Sequence, residues 1–159
     1  MVYFSYFHRL MSYGILLWGA AADINTIFVL QKRAIRAIYN LGPRASLREK
    51  FKEINILTVT CQFIYENLMY VQRNLDKFNK ICNVHNKNTR NKCNLVQHVT
   101  RLRKVNNSFM GQCIRFYNKL PRAMRELPLT KFMKSIKDKL YKKAYYKISD
   151  FIEDNKPRE

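Results

Sequence analysis

Residues 61–75, CQFIYENLMYVQRNL, constrain the fold more than any other stretch. Cys61, Ile64, Leu68, Val71 and Leu75 recur at three- and four-residue spacing and line one stripe of a helix. Phe63, Tyr65, Met69 and Tyr70 widen that stripe until little polar face is left. A helix apolar on most sides has to be buried on most sides, so other elements must pack around it. Those elements are predicted to be helices too. The chain has only 4 Gly and 4 Pro in 159 residues, too few for the tight turns of many short strands. Apolar residues make up 47%, which is enough for a core and too many for a disordered chain.

Ile24, Ile27, Phe28, Ala34, Ile35 and Ile38 form one face of a second helix, with Lys32, Arg33 and Arg36 on the other side. Asp23 is its predicted cap and Gly42-Pro43 its stop. Ser46 and Glu49 have capping-box spacing, predicting a short helix from Leu47. NVHNKNTRNKCN (83–94) reads as a polar loop, and LVQHVTRLRKV (95–105) as a short strand or strand-like connector. SFMGQCIRFYNKLP predicts a helix stopped by Pro121. After Pro128 a longer one places Phe132, Ile136 and Leu140 on one face, and KISDFIEDN predicts a last short helix. The expected fold is mainly α: an irregular helical bundle with a basic loop or short-strand connector near the middle. The expected division is 1–78, 79–107 and 108–159.

The first 23 residues have the outline of a secretory signal peptide: an apolar run, one Arg and three small residues before Asp23. The match fails in detail. Arg9 is the only fixed positive side chain, aromatics at Tyr3, Phe4, Tyr6 and Phe7 fill the place of a positive n-region, and Ser12, Tyr13 and Gly14 interrupt the apolar run. The stretch is expected to be a buried internal helix ending near Gly14 or Gly19. No run of about 20 apolar residues exists for a transmembrane span. The expectation is an intracellular protein, nuclear or cytoplasmic, that is not secreted.

The charge is lopsided. Thirty Lys and Arg stand against 11 Asp and Glu, a formal +19. From Lys77 to Arg125 there is no acidic residue and 12 basic ones. Such an excess repels itself unless a polyanion or salt offsets it, and the natural partners are nucleic acid or an anionic membrane surface. Two clusters are candidate phosphate contacts: Lys32, Arg33 and Arg36 on one helical face, and Arg90, Lys92, Arg101, Arg103 and Lys104 in the loop and connector. Nearby Tyr or Phe rings would stack on unpaired bases. The helix after Pro128 is basic and amphipathic, which raises a membrane-surface alternative over residues 130–146.

Catalytic constellations are missing. The 11 acids are scattered, with no Asp-Asp pair to hold metal ions. There is no G-x-S-x-G, no acid partner visible for the three His residues, and no Gly-rich phosphate loop. Cys82, His85, Cys93 and His98 have zinc-ligand chemistry, but the order C-x2-H-x7-C-x4-H matches no common zinc module. No cofactor is expected.

An ordered series of segments carries a resemblance. YFSYFHRLMSYGILLWG is followed by IFVLQKRAIRAIYNL, LREKFKEINILTVTCQFIYENLMYV, HNKNTRNK, GQCIRFYNKLP and FMKSIKDKLYKKAYYKISDF. Over nearly the whole chain this resembles the C-terminal part of the open-reading-frame product of insect Jockey-like non-LTR retrotransposons, which are RNA-directed DNA polymerases. The resemblance implies the region after the polymerase palm, with thumb-like helices that grip the template–primer duplex. It implies that LQKRAIRAIY lies near nucleic acid, with Lys32, Arg33 and Arg36 on phosphates. The family's catalytic Asp-Asp box, fingers and palm are not in this sequence. The chain is therefore expected to bind RNA or DNA and not to polymerise. An unrelated basic helical adaptor is the alternative from another class.

Overall fold

The computed structural model describes residues 2–21, 23–84, 91–97 and 100–154, with the backbone alone at Arg103. A π-helical stretch, Tyr3–His8, runs into α1 (Arg9–Ser12), followed by α2 (Ile15–Trp18), α3 (Ile24–Ile38), α4 (Arg48–Glu53) and α5 (Val59–Arg73). Then come the single turns Leu75–Lys77, α6 (Ile81–Val84) and α7 (Arg103–Asn106). The chain closes with α8 (Phe109–Lys119), α9 (Arg122–Arg125), α10 (Leu129–Lys143) and α11 (Ile148–Asp154). The fold is mainly α. No helix among the described residues is long and apolar enough to cross a membrane.

Helix α5 is the hub that its sequence requires. Eleven of its residues are buried, from Val59 to Val71, and Phe63, Ile64, Leu68 and Val71 are sealed off from solvent. Helix α8 supplies Phe116, whose ring meets Phe63 edge-on at 6.0 Å, and α10 supplies Phe132, Ile136 and Leu140. A second apolar cluster lies beside the first, where Tyr3, Met11, Phe28, Ile35, Leu47, Phe51 and Val59 meet. Trp18 packs against both. Helices from residues 1–78 and from 108–159 thus share the core around α5. The apolar side of α10 is spent on this core, which leaves it no greasy face to lay on a membrane.

Polar groups set the register of α5. Thr58 caps it: its hydroxyl accepts from the Cys61 N–H at 3.1 Å and donates to the Tyr145 carbonyl at 2.7 Å. Gln31, a buried amide in the apolar face of α3, uses both ends. Its Nε2 donates to the Tyr3 hydroxyl (2.7 Å) and the Leu57 carbonyl (2.8 Å), and its Oε1 accepts from the Val59 N–H (2.9 Å). One side chain thereby satisfies a free donor at the start of α5 and ties three segments together.

Several local expectations are corrected. Asp23 precedes α3 but its carboxylate makes no capping bond. Ser46 and Glu49 do not form a capping box; α4 starts uncapped after Leu47, and Glu49 pairs with Lys52 at 2.7 Å instead. Ile38 stays 43% exposed because it sits at the last turn of α3, beyond the core. Residues 95–105 do not form a strand within the described part. Lys80 and Leu95 make one antiparallel bridge, and 103–106 are a helical turn. In that bridge the ladder bonds belong to the flanking residues, Val96 N to Asn79 O (2.8 Å) and Ile81 N to Asn94 O (2.9 Å). The N–H and C=O of Leu95 point the other way, and the Asn118 side chain takes both, at 2.8 and 2.9 Å. An amide on α8 thus does the work of a further strand.

The last helix is fastened by Asp154, which accepts from the Tyr145 hydroxyl (2.6 Å) and from Lys143 (2.9 Å). The Tyr145 and Lys143 bonds hold its carboxyl below the usual range. A lowered folded-state value means that the stabilisation is complete above the ordinary Asp value and is lost as pH falls through the folded one. Between about pH 5 and 2, the melting temperature of the native chain should therefore fall more steeply than that of Asp154→Asn. Parallel melting curves would contradict this.

Candidate nucleic-acid interface

The first predicted cluster lies on the second half of α3, and its members differ in freedom. Arg33 is exposed. Lys32 is half-buried, with Nζ 4.6 Å above the Phe28 ring. Arg36 is not free: its Nη2 donates to the Ala45 carbonyl at 3.1 Å, and its Nε is buried without a protein partner. It anchors the loop between α3 and α4 as much as it offers charge.

That loop brings in residues the sequence reading missed. Arg44 is exposed, and at the start of α4 Arg48 places its guanidinium 4.7 Å over the Tyr146 ring. Lys50 lies 4.8 Å over Tyr39 and pairs with Glu53. Tyr146 is half-buried, edge-on to Phe28 at 4.8 Å. Burial pushes its hydroxyl up, against the opposing pull of Arg48 and Arg36. The result is a surface of alternating cations and rings: Lys32, Arg33, Arg36, Arg44, Arg48, Tyr39 and Tyr146. Neither Arg33 nor Arg44 makes an ion pair among the described residues. Arg44 and Arg48 are close to α3 in sequence and were legible as charge. Tyr146 is about a hundred positions away and was not.

The second cluster sits elsewhere. Lys92, Arg101 and Lys104 are exposed, while Arg90 and the Arg103 side chain lie outside the described residues. The hairpin carrying Lys92 is clamped by Asn118 and by Arg125, whose Nη1 donates to Asn94 Oδ1 at 2.9 Å. The α3 cluster belongs to the start of α5, through Gln31 and Val59. The hairpin belongs to its far end, where Gln72 meets Tyr117. Fifteen helical residues separate these ends by about 20 Å. The two basic clusters are thus distinct patches, which one duplex would reach only by spanning roughly six base pairs.

Of the four zinc-type residues, Cys82 is exposed and Cys93 half-buried, both as free thiols, and His85 and His98 lie outside the described residues. Among the described residues no three His, Cys, Asp or Glu side chains gather in a way that holds a metal.

Two concave features complete the surface. A cleft of about 240 Å³ lies between Phe4, His8, Gln62, Glu66, Lys137 and Tyr141. Burial and then Lys137 lower the His8 value, so the imidazole is neutral at pH 7. An apolar groove of about 360 Å³ runs between Phe7, Leu10, Met11, Trp18, Ile27 and Leu30. Tyr6 (73%), Leu10 (80%), Tyr13 (85%) and Leu17 (84%), on the same N-terminal segment, are exposed apolar side chains.

No protein-family model matches the chain, and neither does any characterised protein or solved structure.

Proposed function

We propose that this chain binds RNA or DNA through phosphates without catalysing a reaction. We also propose that it corresponds to the thumb and downstream region of a Jockey-like retrotransposon reverse transcriptase. One observation carries the binding reading: Arg33, Arg44 and Arg48, without carboxylate partners among the described residues, stand on α3, the following loop and α4, with Arg48 over Tyr146, on a chain of formal charge +19. Cations unpaired in the free protein lose no internal partner when they take up phosphates, and each contact releases a counterion. The adjacent rings give unpaired bases something to stack on.

Binding to a labelled oligonucleotide across a salt series tests this. The log of the affinity should fall linearly with the log of salt, and Arg33→Ala with Arg44→Ala should flatten the slope by about 2. Arg36→Ala should instead lower the melting temperature, because it releases the Ala45 loop. Salt-insensitive or absent binding overturns the reading. Nucleotide incorporation by this chain would overturn its non-catalytic part.

The exposed apolar side chains of Tyr6, Leu10, Tyr13 and Leu17 favour a second reading, attachment to an anionic membrane surface. Stronger flotation with anionic vesicles than binding to oligonucleotide would select it.

A further inference from the structure

The segment that the sequence offered as a zinc site contains a pair of cysteines that backbone hydrogen bonds bring close together. Lys80 and Leu95 are bridge partners, and from that bridge one arm enters α6 at Ile81, which carries Cys82, while the turn before Leu95 carries Cys93. Backbone bonds hold the arms together there: Ile81 N to Asn94 O, and Cys82 N to Lys92 O, both 2.9 Å. The second bond ends on the carbonyl of the Lys92–Cys93 peptide. Standard bond lengths then keep the two Cα atoms within about 7 Å. That bound reaches into the ~4.4–6.8 Å that a disulfide spans.

Their surroundings separate this pair from the other two cysteines. Cys61 and Cys113 are fully buried, and burial pushes their thiols up to about 11. They stay protonated and shielded. Cys82 is exposed and Cys93 partly so, and Arg125 donates to the Cys93 carbonyl at 3.4 Å. Lys92 and Arg122 add further positive charge, which attracts an anionic oxidant.

We infer that Cys82 and Cys93 form a reversible disulfide that staples the basic hairpin, made by exchange with an anionic small-molecule disulfide such as oxidised glutathione. The exposed Cys82 thiolate attacks one glutathione sulfur and expels the other as a thiolate. Cys93 then attacks the Cys82 sulfur of the mixed disulfide and expels the second glutathione. Two protein thiols are oxidised, one glutathione disulfide is reduced to two thiols, and the two thiol protons pass to the departing glutathiones. The inference rests on the hairpin geometry and not on nucleic-acid binding.

Mass spectrometry and thiol titration of the full chain under native conditions decide it. Untreated protein should show two fast and two slow thiols. After oxidised glutathione the fast pair should vanish, with a mass loss of about 2 Da, no retained adduct, and recovery on reduction. Cys93→Ser, which removes the resolving thiol, should trap a stable glutathione adduct on Cys82. Separate adducts on both cysteines of the native sequence, a disulfide-linked dimer, or two unreacted fast thiols would each overturn the assignment.

Discussion

Gln31→Met should destabilise the fold by about 3–5 kcal/mol, even though methionine fills nearly the same space. The Val59 N–H, the Leu57 carbonyl and the Tyr3 hydroxyl would all lose their partner at once, in a place water does not reach. Each buried group left unpaired costs about 1–3 kcal/mol, and the costs do not simply add. Burial already pushes the Tyr3 hydroxyl up to about 12, so it will not relieve its loss by ionising. Tyr3→Phe in the Gln31→Met background should recover part of the stability, because it removes one orphaned group. Chemical denaturation of the two single variants and the double gives the coupling. A loss below about 1 kcal/mol for Gln31→Met would show that water already serves these groups.

Phe63→Ala should cost about as much, roughly 3–5 kcal/mol, for a different reason. The Phe63 ring is fully buried where α5 crosses α8, edge-on to Phe116, and it also lies against the backbone at Gly19. A Cβ on Gly19 would come within 2.2 Å of the ring and 2.5 Å of the Ile15 carbonyl, so helix and ring are already in contact with no room to spare. Removing the ring leaves a cavity bounded by a helix end on one side and an aromatic on the other, neither of which closes it easily. Phe63→Leu should lose less than half as much. Equal losses for the two variants would mean that the site collapses around either side chain.

These two residues show how unevenly the sequence speaks. Phe63 could be read as core from its place in CQFIYENLMYVQRNL, since apolar spacing announces burial whatever the partner. Gln31 was legible only in part. Its spacing from Ile27, Phe28, Ala34 and Ile35 puts it in the apolar stripe of α3, but only the approach of Tyr3 and of the Leu57–Val59 segment gives it three partners. Arg36 has a second role that the sequence did not disclose: it also donates to the Ala45 carbonyl, in a loop that lies off the helix and outside any periodicity. Of the short strand or strand-like connector read at 95–105, the described residues show one bridge at Leu95, whose free backbone groups Asn118 meets in place of a neighbouring strand.

The sequence by itself determined the helical class, the central place of α5 and the surplus of positive charge, because spacing and composition act locally and do not depend on what packs against them. Tertiary structure alone decided which cations are free, which rings stand beside them and that the two candidate clusters lie toward opposite ends of α5. Those properties depend on distances between segments far apart in the chain, such as Tyr146 against Arg48, and no local pattern encodes them.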